Sequence, residues 1–367
     1  MKIGILTYHR AENYGALLQA YALKTYLESL GHNVSFVDYW PKYHSDYFRL
    51  FPLSMFRKRN IKGKIMMLFR LALWGIPKYI RKSRLQQFMH KRLGVSKMPL
   101  YTNDDCKTEQ YDMVVYGSDQ IWRKQKLGGV EFDSWYFGSD NVQSLRKVVY
   151  AGSMGAVSLD SKDEAFVLQQ MKNFDALSVR ERDLHDFFSS KGIESQLVCD
   201  PVFLLSKNEW QEVVSKKMPQ KRYILFYNLL NSPDSVSFVN QLSKETGLPV
   251  KEINKCLSLS RFLHSRYVSC ASVERFLGLI RDAEYVVSNS FHGVAFSIIF
   301  EKRFFAVGMG ERANRVVSLL ESSGIPDRYI CNGIPFNYEE IISYDTVKEK
   351  LDVFREKSMC YLIQFIQ

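Results

Sequence analysis

The sequence predicts an α/β fold with two domains, and three observations support this. The chain has 367 residues, which is long for one hydrophobic core. Short β-branched apolar runs alternate with segments of helical periodicity along most of the chain. Several of these runs end in turns rich in Gly, Ser, Asn or Asp, as the strands of an open parallel sheet do before the following helix.

Composition limits the class of protein further. Hydrophobic residues make up 46% of the chain and aromatic residues 14%, as in globular proteins. No apolar run approaches the ~18 residues that span a bilayer. The amino terminus lacks a signal-peptide pattern, so a cytoplasmic protein is expected. The 6 cysteines of the chain lie far apart without metal-ligand spacing, which predicts free thiols and no metal.

The net charge of +11 comes from one segment. No acidic residue occurs between Asp46 and Asp104, and the apolar stretches 65–73 and 79–93 within it have the pattern of basic helices. A solvated helical face and a peripheral contact with an anionic membrane surface both fit this pattern, and the sequence leaves both open. A basic patch also suits nucleic acid, but no nucleic-acid module is recognised, so no such partner is predicted.

The first domain is predicted over residues 1–204, with a basic helical insert at about 48–95. It begins with a strand, a helix and a strand, and the loop after the first strand lacks the G-x-G-x-x-G fingerprint of dinucleotide-binding proteins. The βαβ start is of Rossmann type. The elements predicted for this domain are strands at 2–8, 34–39, 111–116, 148–151, 176–181 and 196–200, and helices at 15–30 and 183–191.

The second domain is predicted over residues 205–344 and carries another alternating set of elements. A final helix at 345–367 is expected to pack back on the first domain. The elements predicted here are strands at 222–229, 249–253, 285–287 and 304–307, and helices at 234–246, 272–281, 293–300 and 315–323.

Two predicted loops of the first domain carry polar residues that suit a sugar. The strand at 111–116 is followed directly by 117–122, GSDQIW. The Asp119 carboxylate can accept hydrogen bonds from hydroxyls, and the Trp122 ring can cover the apolar face of a pyranose. Alternatively, Asp119 caps a helix and Trp122 packs in the core. Asn13 offers donors and an acceptor to a sugar, or else serves as a helix N-cap.

His292 lies in the turn between a predicted strand and helix of the second domain. The first turn of a helix has free backbone N–H groups and a positive dipole end, which favour phosphate or carboxylate. A capping or core role for His292 is the alternative. Arg315 follows the next strand and could converge on the same crevice, because turns at the carboxyl ends of neighbouring strands lie side by side.

Arg180 is a second candidate for binding an anion. It stands at a predicted strand end, where its guanidinium could bind carboxylate or phosphate through two hydrogen bonds. The alternative is a surface ion pair with Glu181 or Asp183.

The segment 288–293, SNSFHG, resembles the hallmark of the polysaccharide pyruvyl transferase family. Four further blocks agree with this resemblance. They are Asn13-Tyr14-Gly15 with Gln19, the G-x-D-x-x-W block at 117–122, Ser-Val-Arg-Glu at 178–181 and Asp-Pro-Val-Phe-Leu-Leu at 200–205. The resemblance spans nearly the whole chain, and its specificity rests on the order of the blocks. It implies a GT-B-like fold, in which two Rossmann-type domains face each other across a cleft.

The resemblance also implies an activity. Members of the family move the pyruvate unit of phosphoenolpyruvate onto two hydroxyls of a hexose, which gives a cyclic ketal. The acceptor is expected in a capsular, exo- or cell-wall polysaccharide precursor that is lipid-linked. Phosphoenolpyruvate is the co-substrate, and no cofactor is expected.

The site residues follow from the matching blocks. The expected catalytic residues are His292, Arg180 and Asp119. The expected donor-binding residues are His292, Gly293, Ser290, Arg180, Arg312 and Arg315. The expected acceptor-binding residues are Asn13, Tyr14, Asp119, Gln120 and Trp122.

This chain departs from the family at one position, and two other functions remain open. Many relatives have Arg two places before the histidine, where this chain has Ser290. Arg303, Arg312 and Arg315 are the candidates to replace it, and the sequence does not choose among them. The alternatives are a GT-B glycosyltransferase that uses a nucleotide sugar and a non-enzymatic interaction protein with the same fold.

Overall fold

The computed structural model forms an α/β protein whose contacts divide into two compact units. Unit 1 comprises Met1–Ser45, Met89–Leu205 and Lys348–Gln367, and unit 2 comprises Asp46–Phe88 and Ser206–Val347. No helix within the described parts of these units is long and apolar enough to cross a membrane. The structure describes residues 1–47, 56–57, 59–102, 106–125, 131–155, 157–215, 222–255, 258–310, 313–331 and 337–366.

Unit 1 is built on a four-stranded parallel sheet with the strand order β2-β1-β3-β4. A parallel pair, β5 and β6, continues from it through bridges from β4 and from Gly152. The central strands read as near-continuous apolar runs because helices and loops cover both faces of the sheet. The strands are β1 (Lys2–Leu6), β2 (Asn33–Phe36), β3 (Tyr111–Tyr116), β4 (Ser144–Val149), β5 (Ser178–Val179) and β6 (Gln196–Leu197).

The helices of unit 1 include the last helix of the chain, α12 (Tyr344–Ile366), whose residues from Lys348 onward belong to this unit. The backbone N–H of Cys199 donates to Ser358 Oγ at 2.9 Å, and the Tyr361 hydroxyl donates to the carbonyl of Val149 at 2.8 Å. These bonds fix α12 beside β4 and beside the end of the segment Met89–Leu205. The other helices of the unit are α1 (Tyr14–Ser29), α2 (Lys42–Tyr47), α4 (Ser161–Met171) and α5 (Arg182–Ser190).

Unit 2 contains a five-stranded parallel sheet with the order β11-β10-β9-β7-β8. The strands are β7 (Ile224–Asn228), β8 (Val250–Asn254), β9 (Tyr285–Ser288), β10 (Arg303–Val307) and β11 (Tyr329–Ile330). The helices within residues 206–347 are α6 (Lys207–Val213), α7 (Pro233–Thr246), α8 (Leu259–Leu263), α9 (Val273–Arg281), α10 (Phe291–Ile299) and α11 (Ala313–Ser322). Both units therefore have the predicted α/β architecture with parallel strands.

The basic insert differs from the prediction in two ways. It contains one continuous helix of 28 residues, α3 (Ile61–Phe88), which runs through Pro77 instead of breaking there. Its residues up to Phe88 also group with unit 2, whereas the sequence predicts the whole insert in the first domain. The Cys270 thiol donates to the carbonyl of Pro77 at 3.2 Å, and the Arg84 guanidinium donates to the carbonyl of Cys270. Pro77 has no backbone N–H and cannot make the usual hydrogen bond within a helix. The contacts with Cys270 nevertheless hold α3 on unit 2.

Candidate functional site

The turn after β9 is held by its own side chains. Ser288 Oγ accepts a hydrogen bond from the backbone N–H of Ser290 at 3.1 Å. The side-chain carbonyl of Asn289 accepts from the backbone N–H of Leu229 at 2.6 Å, and its amide donates to Asn228 Oδ1 at 3.0 Å. The Ser-Asn-Ser sequence thus ties the carboxyl end of β9 to that of β7, which fixes where α10 begins.

His292 lies in the first turn of α10 and is 9% exposed. Ser290 is the N-cap residue, and its side chain makes no capping hydrogen bond. The first N–H groups of a helix have no partner within that helix, so this end offers donors and a positive dipole to an anion. A Cβ on Gly293 would collide with Ser288 Oγ and approach Tyr227 Cδ1 to 2.8 Å. Only glycine therefore lets α10 start this close to the strands.

The three candidate arginines have different positions. The Arg315 guanidinium lies over the Phe291 ring, 5.8 Å from its centroid, and Phe291 is the neighbour of His292. Arg303 pairs in register with Tyr285 at the first residues of β10 and β9. It therefore lies at the amino-terminal ends of these strands, whereas His292 follows the carboxyl end of β9. The structure thus excludes Arg303 as the replacement for the family arginine. Arg312 lies outside the described residues.

A polar network that the sequence did not predict lies at the carboxyl ends of β7 and β8. Glu252 Oε1 accepts from the side-chain amides of Asn228 at 3.2 Å and Asn254 at 2.9 Å. Arg266 Nε donates to Glu252 Oε2 at 3.3 Å. Asn228 and Asn254 are the last residues of β7 and β8, so an asparagine that ends an apolar strand was the available sequence signal.

In unit 1, Arg180 is enclosed by carboxylates. Its Nε is 3.0 Å from Glu181 Oε1, its Nη1 is 2.5 Å from Asp200 Oδ2, and its Nη2 is 3.7 Å from Asp119 Oδ1. Burial alone would lower the pKa of Arg180, but the charges of Glu181 and Asp200 outweigh it, and the pKa is raised. The expectation that Arg180 binds a donor anion is therefore not supported, because buried carboxylates already surround its charge.

Asp119 is the most accessible carboxylate of this cluster. Its side chain is 20% exposed, compared with 2% for Glu181 and 0% for Asp200. Its backbone has φ 74°, in the left-handed region, and its Oδ1 accepts from the N–H of Gln120 at 2.8 Å. Gln120 is partly exposed and accepts from Arg123 through Oε1 at 3.3 Å. Asp119 and Gln120 can therefore face a ligand.

Two predicted acceptor residues are core residues instead. Trp122 is fully buried, its indole N–H donates to the carbonyl of Tyr136 at 2.9 Å, and its ring packs against Phe137. Tyr14 is also buried, in the first turn of α1. Neither aromatic ring has surface to offer a sugar, which corrects the prediction for both.

Asn13 has the capping role that was one of its two predicted roles. It is the N-cap of α1, and its Oδ1 accepts from the backbone N–H of Gly15 at 2.9 Å. The residue is exposed. The cap occupies its side-chain oxygen, so a ligand would meet mainly the amide nitrogen.

A buried charged group at the carboxyl ends of β1 and β2 was also missed. Asp38 binds Arg10 through two hydrogen bonds of 2.5 and 2.6 Å, and His9 Nε2 is 3.2 Å from Asp38 Oδ1. Burial would raise the pKa of Asp38, but its bonds with Arg10 and His9 lower it well below the ordinary value. The pairing depends on β1 and β2 being neighbours, so sequence spacing gave no signal for it.

Two parallel-sheet units whose strands end in polar loops define an α/β protein of the kind that binds small ligands at those loops. The chain belongs to the polysaccharide pyruvyl transferase family, whose sequence profile matches residues 13–310. The predicted resemblance is thus confirmed, and the family indicates an enzyme that transfers pyruvyl groups in polysaccharide biosynthesis. The match includes His292 and Asp119 and ends before Arg315.

Solved structures resemble the chain only distantly. A UDP-GlcNAc 2-epimerase from Neisseria meningitidis bound to UDP-GlcNAc has 8% identity and a TM-score of 0.44, covering 98% of this chain and 100% of that chain. A heptosyltransferase from E. coli has 10% identity and a TM-score of 0.38, covering 96% and 99%. An uncharacterised protein from Klebsiella pneumoniae has 12% identity and a TM-score of 0.39, covering 74% and 99%. These likenesses carry no inference about the reaction. No curated protein matches the chain.

Proposed function

We propose that the protein transfers the pyruvate unit of phosphoenolpyruvate onto two hydroxyls of a hexose, forming a cyclic ketal and inorganic phosphate. The acceptor is a lipid-linked precursor of a capsular, exo- or cell-wall polysaccharide, modified in the cytoplasm without a metal or other cofactor. The observation that carries the proposal is the position of His292 in the first turn of α10, in a chain that belongs to this family.

The donor is assigned to unit 2. Phosphoenolpyruvate carries a phosphate and a carboxylate, which suit the N–H groups at the start of α10 and the guanidinium of Arg315. His292 neutralises the phosphate or acts as the general acid that protonates the methylene carbon. Protonation leaves a cationic centre at C2, which the first hydroxyl attacks. Phosphate then leaves, and the second hydroxyl attacks C2 to close the ketal.

The acceptor is assigned to unit 1. In the cluster around Arg180 three carboxyl groups lie against one guanidinium, so its positive charge is already paired and offers little to a phosphate. A partly exposed carboxylate such as Asp119 instead suits a sugar hydroxyl, from which it accepts a hydrogen bond or a proton. Gln120 and Asn13 supply further hydrogen bonds. Arg180 acts as a positioning residue that holds Asp119 beside Glu181 and Asp200.

The proposal is tested by incubating the protein with phosphoenolpyruvate and a panel of hexose acceptors. Release of inorganic phosphate, together with an acid-labile mass gain equal to the pyruvylidene group, is the expected result. Release of UDP from a nucleotide sugar, with phosphoenolpyruvate left unused, would instead identify the glycosyltransferase alternative. Binding of a glycan with neither product would favour the interaction protein.

A further inference from the structure

Helix α3 presents a row of exposed apolar side chains. Among the described residues of the helix, seven apolar side chains are each more than half exposed, and Met66 is one of them. The other six lie on one side of the helix, and we call them the apolar stripe: Ile61, Ile65, Leu68, Phe69, Ile76 and Tyr79. Isolated exposed apolar residues are ordinary on a protein surface, but a contiguous row of this length marks an interaction site.

The apolar stripe lies on the side of α3 that faces away from the rest of unit 2. At 3.6 residues per turn, its six positions fall within an arc of roughly 100°. The contacts with unit 2 come from the opposite side of the helix. There the carbonyl of Pro77 accepts from the Cys270 thiol at 3.2 Å, and the Arg81 guanidinium donates to the carbonyl of Asn254 at 3.4 Å. The helix is thus held on one side, and the apolar stripe lies on the other.

Positive charge borders the apolar stripe on both sides. By the same helical geometry, Lys62 lies along one border, and Lys64 and Lys82 lie along the other. No acidic residue occurs between Asp46 and Asp104, so nothing within the segment offsets these charges. A helix whose apolar face is bordered by lysines has the pattern of one that lies in a lipid interface.

Charge decides which occupant covers the apolar stripe. A second copy of the chain would bring two strongly basic helices together, and nucleic acid would meet the lysines but leave the apolar side chains unburied. We propose that α3 docks the protein on an anionic lipid surface, with the apolar stripe at the boundary between headgroups and acyl chains. The lysines then meet the lipid phosphates. This docking is independent of the pyruvyl transfer, and it would bring the enzyme to a lipid-linked acceptor.

The experiment sediments the full-length protein with vesicles of phosphatidylcholine, with or without phosphatidylglycerol. Wild type is expected to bind the anionic vesicles, and more weakly as salt rises. The variant Ile65→Asp/Phe69→Asp is expected to lose at least tenfold in apparent affinity, and Lys62→Glu/Lys82→Glu to lose the preference for phosphatidylglycerol. The matched control is Leu145→Asp/Ile341→Asp, whose native side chains are 76% and 75% exposed elsewhere. It should bind as wild type does.

Three results would overturn the proposal. The first is wild-type protein that stays in the supernatant with anionic vesicles. The second is a stripe variant that binds as well as the control. The third is a wild-type dimer that the stripe variant abolishes, which would make this face an interface between copies. Circular dichroism checks that each variant folds, and turnover with a soluble hexose acceptor should be the same in all of them. A failure of docking is thereby separated from a failure of the reaction.

Discussion

Arg180 and Asp200, 20 positions apart in the sequence, form a buried ion pair with an Nη1–Oδ2 distance of 2.5 Å. Asp200 also accepts a hydrogen bond from the backbone N–H of Val202 at 3.1 Å and so caps the turn Pro201–Phe203. The pair therefore connects the end of β5 with the last residues of the segment Met89–Leu205 in unit 1.

Replacing this arginine should destabilise the protein strongly. Arg180→Met leaves buried carboxylates without their cation, which costs about 3–5 kcal/mol in the free energy of unfolding. Urea denaturation measures the change. The control is Arg222→Met, which breaks a more exposed pair with Glu284 and should cost much less stability, because water screens an exposed pair. Equal losses in the two variants would contradict the structural role given to Arg180.

His292→Gln should abolish most turnover while the fold survives. A general acid contributes roughly 10²–10⁴-fold to a rate, so kcat with phosphoenolpyruvate should fall by about that factor. Thermal unfolding should remain close to wild type, because the side chain lies at the start of a helix whose other contacts are unchanged. His185→Gln, at a histidine of unit 1, is the control and should keep its rate. Rates near wild type for His292→Gln would remove this residue from the mechanism.

Arg315 and Arg303 form a matched pair for testing the donor assignment. Arg315→Ala should raise KM for phosphoenolpyruvate by roughly 10–100-fold, because a hydrogen bond to a charged group contributes about 1.5–3 kcal/mol. Arg303→Ala should leave this KM unchanged, since Arg303 lies at the amino-terminal end of its strand, away from the start of α10. Initial rates at varied phosphoenolpyruvate and fixed acceptor give both values. If Arg303→Ala has the larger effect, the donor does not bind at the start of α10.

His44 should make stability depend on pH. Its ring is 5.0 Å from that of Tyr8, and burial lowers the pKa of His44 from 6.5 to about 4. Between about pH 6.5 and pH 4, His44 therefore binds a proton in the unfolded chain but not in the folded protein. This contribution to stability is fully present above pH 6.5 and is lost as the pH falls toward 4.

The variant His44→Gln should remove that part of the pH dependence. One unit of pKa difference is equivalent to about 1.4 kcal/mol, so the wild type should lose roughly 2 kcal/mol more than the variant between pH 7.5 and pH 4.5. Urea denaturation at both pH values provides the comparison. The same loss in both proteins would show that His44 does not carry this effect.

The sequence predicted those parts of the molecule that local chemistry determines. β-branched runs predicted strands such as Tyr285–Ser288, and the polar turn with Gly293 predicted the start of α10. Trp122 shows the limit of such reasoning, because an aromatic residue after a strand has the same pattern whether it meets a sugar or the core. Its burial depends on Phe137 and on other distant residues.

Long-range pairing was beyond the sequence for the same reason. The partners of Arg180 include Asp119 and Asp200, which come from different loops, and only the fold brings them together. Segment 46–88 likewise groups with unit 2 through contacts such as that between Pro77 and Cys270. No pattern within the segment itself indicates which unit it joins.

The hydrogen bonds of α12 have a consequence for how the chain folds as it is synthesised. Ser358 and Tyr361 satisfy backbone groups of Cys199 and Val149, yet all of residues 206–347 must be translated before these two side chains exist. A nascent chain can thus complete unit 2 while unit 1 still lacks a helix. The half that starts first on the ribosome finishes last, which reverses the usual order for multidomain proteins.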